Sequence, residues 1–179
     1  MLAILTTLLL TQLPAQTLRT GAAQVRITPP LGTPLGGNYT VRPAATIHDE
    51  LHAKALVLEH NTTKAAFVAL DVVTIDRETV DAARQLIQQQ TGIPPTHVMI
   101  SATHTHSGPI TGSSAHHEWA GSTQPLAREF RQRFPALIAI ASVALERPLK
   151  ATRGPHRRSC GKHGFSTFAR PLSGRAVAK

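Results

Sequence analysis

Apolar and polar residues alternate along Ala23–Thr28 (AQVRIT), the pattern of a half-buried strand, and Pro29-Pro30 end it. Residues 29–46 are rich in Gly and Pro, including Gly32, Gly36 and Gly37, and read as a long loop. A second alternation runs from Leu51 to Glu59, with Leu51, Ala53, Ala55 and Val57 on one face. A turn at His60-Asn61-Thr62-Thr63 and an apolar run Lys64–Leu70 follow, so 51–70 is predicted to be a hairpin, closed by Asp71.

The period then changes. From Asp76 to Thr91 the apolar positions Val80, Ala83, Leu86 and Ile87 fall on one helical stripe. Asp76 is the expected N-cap, Glu78 sits in the first turn, and Gly92 with Pro94-Pro95 ends the helix. His97–Ala102 (HVMISA) reads as a short buried strand, and 103–124 as a loop rich in His, Ser and Gly. Pro125–Glu146 carries Phe130, Phe134, Leu137, Ile138, Ala141 and Leu145 at helical spacing, with Pro135 expected to kink or split it. The order strand, hairpin, helix, strand, helix predicts an α/β fold: a mixed β-sheet with flanking helices, forming an incomplete domain, with the last strand central.

Both ends of the chain break this pattern. Leu2–Leu10 is an apolar run of secretory-signal length, followed by Pro14-Ala15-Gln16. Residues 1–16 are therefore read as a signal peptide and the protein as secreted or periplasmic. The net charge of +9 would suggest nucleic acid, but its position excludes that for the body of the chain. All 10 acidic residues lie at or before Glu146, where Lys and Arg balance them, and every residue of the excess falls between Arg147 and Lys179. The folded body is accordingly read as 17–150. Residues 151–179 form a basic tail without apolar period, read as disordered, as the product of a frameshift, or as a nucleic-acid arm. With 41% hydrophobic residues the chain is not a disordered one, and a single Cys rules out a disulfide framework or a Cys-rich zinc module.

The chemistry concentrates in Ser101-Ala102-Thr103-His104-Thr105-His106-Ser107-Gly108-Pro109. Two His at i and i+2 after a strand point to one face if strand geometry persists, and can offer two nitrogen donors to a metal or a substrate oxygen. Other candidates are weaker. His116-His117 point opposite ways in an extended chain and read as solvent residues, and His48-Asp49 reads as a turn or as a carboxylate orienting a His. Asp71 is a second carboxylate able to reach the site, or else a cap, while Tyr39 and Trp119 are expected to pack loops. Asn38-Tyr39-Thr40 and Asn61-Thr62-Thr63 match the glycosylation pattern.

These segments together resemble the N-terminal part of the neutral/alkaline non-lysosomal ceramidases. The resemblance rests on Gly21–Pro30 (GAAQVRITPP), Leu35-Gly36-Gly37, Ile47–Ala55 (IHDELHAKA), Ala69-Leu70-Asp71, Thr91-Gly92-Ile93-Pro94 and Ser101–Pro109, and runs from about residue 21 to 150. It implies a zinc-dependent amidohydrolase that cleaves the N-acyl bond of ceramide or a related linear amide. His104 would be a Zn2+ ligand, His106 a catalytic residue near the substrate carbonyl, and Gly36 and Gly37 would line the substrate site. The partner implied is a lipid-like amide, with peripheral membrane contact and no nucleic acid. The family's site also needs a second His, a Glu and a Tyr beyond position 150, and residues 151–179 contain no Asp, Glu or Tyr. Catalytic zinc usually takes three protein ligands. The chain is therefore expected to be inactive alone, with strand edges and an apolar sheet face uncovered. The alternative is a non-catalytic binding remnant of the same scaffold.

Overall fold

A computed structural model describes residues 18–113, 115–143 and 150–151. The elements are β1 (Leu18–Arg26), β2 (His52–His60), β3 (Thr63–Leu70), α1 (Arg77–Thr91), a 3-10 turn (Pro95–His97), β4 (Val98–Ala102), α2 (Ala115–Glu118), α3 (Pro125–Val143) and β5 (Lys150–Ala151). They build one mixed sheet in the order β4-β3-β2-β1-β5. β1, β2 and β3 are antiparallel, while β4 joins β3 in parallel after the α1 crossover.

The local signals hold. Asn61 turns the β2–β3 hairpin at φ 55°, a left-handed conformation that Asn tolerates. The Asp76 carboxylate accepts the Thr79 N–H at 2.8 Å and caps α1. Gly92, at φ 72°, closes the helix by donating its N–H to the Gln88 carbonyl at 2.9 Å. α3 runs on through Pro135 without splitting, although the ring removes the N–H that would bond the Arg131 carbonyl. Pro125 at its first position costs no helical bond.

Two expectations change. β4 stands at the edge of the sheet among the described residues rather than at its centre, because the chain leaves β4 for α3 and not for a further neighbouring strand. β1 also begins earlier than its alternation suggests, at Leu18, because it pairs along the whole of β2 from Leu18↔His60 to Arg26↔His52. Residues 1–16, read as a signal peptide, and 152–179 of the basic tail lie outside the described residues, as does the end of the predicted second helix. Lys150 and Ala151, where the tail was expected to begin, pair with Thr20 and Arg19.

The core lies on one sheet face. There the strands offer small side chains (Ala53, Ala55, Val57, Ala66, Val68, Val98), and the helices supply bulk through Ile87, Phe134 and Ile138. Burying a side chain such as Phe134, fully enclosed, contributes roughly 1.5–3 kcal/mol. The other face carries a row in strict register, Leu56↔Phe67↔Met99. These side chains are 41%, 38% and 52% exposed, so the described residues leave this row about half open to solvent. No described helix is long and apolar enough to cross a membrane.

Candidate functional site

The site grows from the parallel β3–β4 pair. Past their last paired residues, both strands leave the sheet together, and the loop after β4 is held by carbonyls of the end of β3 and of the segment that follows it. Thr103 donates its N–H to the Leu70 carbonyl at 2.9 Å, and Thr105 donates to Val72 at 3.1 Å. His104 Nδ1 lies 3.1 Å from the Val73 carbonyl. Since a carbonyl only accepts, Nδ1 carries the proton and Nε2 keeps its lone pair.

Strand geometry does not persist through the histidines, as their spacing alone would require. β4 ends at Ala102, and His104 takes φ 66°, a left-handed conformation that costs a non-glycine residue about 1–2 kcal/mol. The two rings meet nevertheless. His106 Nε2 is 3.3 Å from His104 Nε2, so with His104 accepting, His106 donates. The rings are edge to face, with centroids 4.9 Å apart, and both side chains are exposed.

The long loop 29–46 folds over this pair. Its own stitch joins Leu35 N–H to the Arg42 carbonyl at 2.8 Å. Gly36 donates its N–H to the Gly108 carbonyl at 2.8 Å, and Leu35 forms a bridge with Pro109. Gly37 sits at φ 79° against the His106 ring: a Cβ there would lie 2.3 Å from Nδ1. Gly36 is looser, its nearest Cβ neighbour being the Pro109 carbonyl oxygen at 3.3 Å. The structure thus brings Gly36, Gly37, His104 and His106 into one place.

The remaining candidates separate from them. The Asp71 carboxylate accepts the His52 N–H at 3.0 Å and the Lys54 ammonium at 3.3 Å, rather than meeting an imidazole. His48 pairs with Asp49 at 2.8 Å, both highly exposed, and this hydrogen bond and the carboxylate's charge raise the His48 pKa. An open cavity of about 700 Å³ lies between this loop and the His loop. Thr105, Ser107, Arg42, His48 and Asp71 line it, and the two histidines between and beside those hydroxyls do not. His117 packs over Gly112, where a Cβ would lie 2.4 Å from its ring, so it is not the solvent residue expected; the side chain of His116 lies outside the described residues. Tyr39 and Trp119 are 85% and 70% exposed and do not pack the loops, because no second layer stands over these loop tips among the described residues. Asn61 is exposed at the hairpin turn, while Asn38 donates to the Gly36 carbonyl at 3.2 Å.

For a metal, the described residues offer an incomplete set. His104 is oriented as a ligand should be, with its second nitrogen fixed by a carbonyl. Among the described residues, however, no group of three His, Cys, Asp or Glu side chains converges. These residues alone do not make a catalytic zinc site.

A mixed sheet with helices on one face and a His-bearing loop at the end of its parallel pair makes an α/β scaffold, and the solved structures that share it are ceramidases. Two solved structures share it. The crystal structure of neutral ceramidase from Pseudomonas aeruginosa superposes with a TM-score of 0.63 at 22% identity, over 76% of this chain and 22% of that one. A ceramidase complexed with C2 superposes at 0.61 and 23% identity, over 76% and 22%. The chain therefore spans about a fifth of the length of these neighbours (22% of each). No family model and no curated protein matches the sequence.

Proposed function

We propose that this chain is a ceramidase-like piece of a zinc-dependent amidohydrolase, exported from the cell, whose substrate is the N-acyl amide of ceramide or a related lipid-like amide. The observation that carries this reading is the His104 imidazole, held through Nδ1 on the Val73 carbonyl with its Nε2 lone pair turned to His106, whose ring packs against Gly37. In this reading His104 is a zinc ligand, His106 a catalytic donor to the substrate carbonyl, and Gly36 and Gly37 the wall against which the substrate lies. Zinc bound in such a site would supply a polarised carbonyl and an acidified water. Catalytic zinc usually takes three protein ligands, so in this reading the chain by itself is expected to be inactive.

The test has two parts. Purified chain is titrated with Zn2+ and assayed for fatty-acid release from a short-chain N-acyl sphingosine. The expected result is weak zinc binding that His104→Ala removes, and no hydrolysis. Residues 18–143 are then exchanged into the Pseudomonas aeruginosa enzyme. Hydrolysis and full zinc content are expected in the chimera, and both are lost on His104→Ala. A folded chimera that keeps its zinc after that substitution overturns the ligand assignment. The non-catalytic reading predicts a folded chimera without zinc or hydrolysis.

A further inference from the structure

We infer that Asp71 is the positioning residue of the histidine pair: its carboxylate takes over a main-chain ladder bond, and this releases the carbonyl strip on which His104 is held. The inference rests on the proposed reading of that pair. Along β2 and β3 the ladder is regular up to Ala53↔Leu70. One step further, Asp71 still donates its N–H to the His52 carbonyl at 3.0 Å. In a continuing antiparallel pair, the His52 N–H would return to the carbonyl of residue 71. Here it bonds the Asp71 carboxylate at 3.0 Å instead. The side chain stands in for the peptide oxygen, so the His52 amide is satisfied and the chain is free to leave β2.

What leaves is the strip that builds the site. The Asp71 carbonyl oxygen faces Gly108, where a Cβ would lie only 2.8 Å from it. The carbonyls of Val72, Val73 and Thr74 then accept from Thr105 N–H, His104 Nδ1–H and the Thr111 hydroxyl in turn. Asp71 is only 17% exposed at its side chain, and Lys54 at 3.3 Å holds its charge in place. An Asn offers a carbonyl oxygen at the same reach and can accept the His52 N–H. A Glu carries the same charge with its oxygens displaced by one methylene. An Ala offers no acceptor, so the His52 N–H recaptures the residue-71 carbonyl and pulls the strip back towards β2.

The experiment is hydrogen exchange on the metal-free chain, with the His104 tautomer read by ¹⁵N NMR at a pH where both rings are neutral. Asp71→Ala is expected to speed exchange of the Thr105 amide at least tenfold relative to the amides of β1, and to lose the Nδ1–H form of His104. Asp71→Asn is expected to keep both as in the parent. If Asp71→Ala does not fold, Asp71→Glu decides, with faster Thr105 exchange at unchanged β1 protection. Uniform loss of protection, or an unchanged Thr105 amide and tautomer in a folded variant, overturns the inference and leaves Asp71 a structural cap. Because no metal is present, that failure does not touch the zinc assignment, which His104→Ala tests separately.

Discussion

Replacing Gly37 by Ala puts a methyl group where the His106 ring now lies. Its Cβ would be 2.3 Å from Nδ1, 2.7 Å from Cε1 and 2.9 Å from Cγ, so the ring must swing away. Two costs add. The first is the left-handed backbone, φ 79°, which an Ala tolerates at roughly 1–2 kcal/mol. The second is the 3.3 Å contact between the two Nε2 atoms, worth about 0.5–1.5 kcal/mol as a neutral hydrogen bond. The sum is about 1.5–3.5 kcal/mol. Gly92→Ala separates the terms, because Gly92 shares the positive φ (72°) yet has nothing within 4 Å of a Cβ. It should lose about 1–2 kcal/mol, the backbone term alone. Gly36→Ala, without positive φ and with its nearest contact at 3.3 Å, should lose least. Urea unfolding of the three variants gives the order, and the His106 ring resonances report the displacement. Equal losses for Gly37→Ala and Gly92→Ala with unmoved His106 resonances would refute the packing of Gly37 on that ring.

Asp76→Ala removes the cap on the Thr79 N–H and should cost about 1 kcal/mol of stability, seen as a lower urea midpoint at unchanged slope. His48 should titrate above an ordinary histidine, and Asp49→Asn should return it towards the normal value in an NMR titration. The sign follows from the raised pKa: the pair contributes fully below the ordinary histidine pKa and fades as pH rises through the raised one. Since both side chains are almost fully solvated, the fall in the unfolding midpoint that Asp49→Asn removes across that window should be small, and a large one would contradict the exposed geometry.

How much the sequence disclosed depends on the reach of each determinant. The α1 boundaries were legible because Asp76 and Gly92 act within one turn of themselves. The β2–β3 hairpin was legible because alternation and turn lie in one stretch. The edge position of β4 was not, since strand order is decided by which partners remain after the crossover, and no residue of β4 encodes it. At the site, the motif marked His104 and His106, yet the way they meet came from elsewhere. The left-handed turn at His104 is stabilised by a carbonyl of Val73, an apolar residue with no chemical signature of its own. The contact of Gly37 with His106 joins distant loops and was reachable only through the family resemblance. Asp71 was marked as a carboxylate near the site, but its substitution for a peptide oxygen shows only in the hydrogen bonding.

The stitches between residues 34–36 and 108–110 also bear on the order of folding. The β2–β3 hairpin closes over a two-residue turn and α1 forms locally, whereas this clasp must bring together segments on either side of three strands and α1. Entropy for closing so long a loop is gained back only after the sheet has set the spacing, so the clasp belongs to the late, downhill side of the folding barrier. Weakening it should therefore leave the refolding rate nearly as it was and quicken unfolding, making the lifetime of the native state, rather than the speed of reaching it, the quantity that the histidine loop governs.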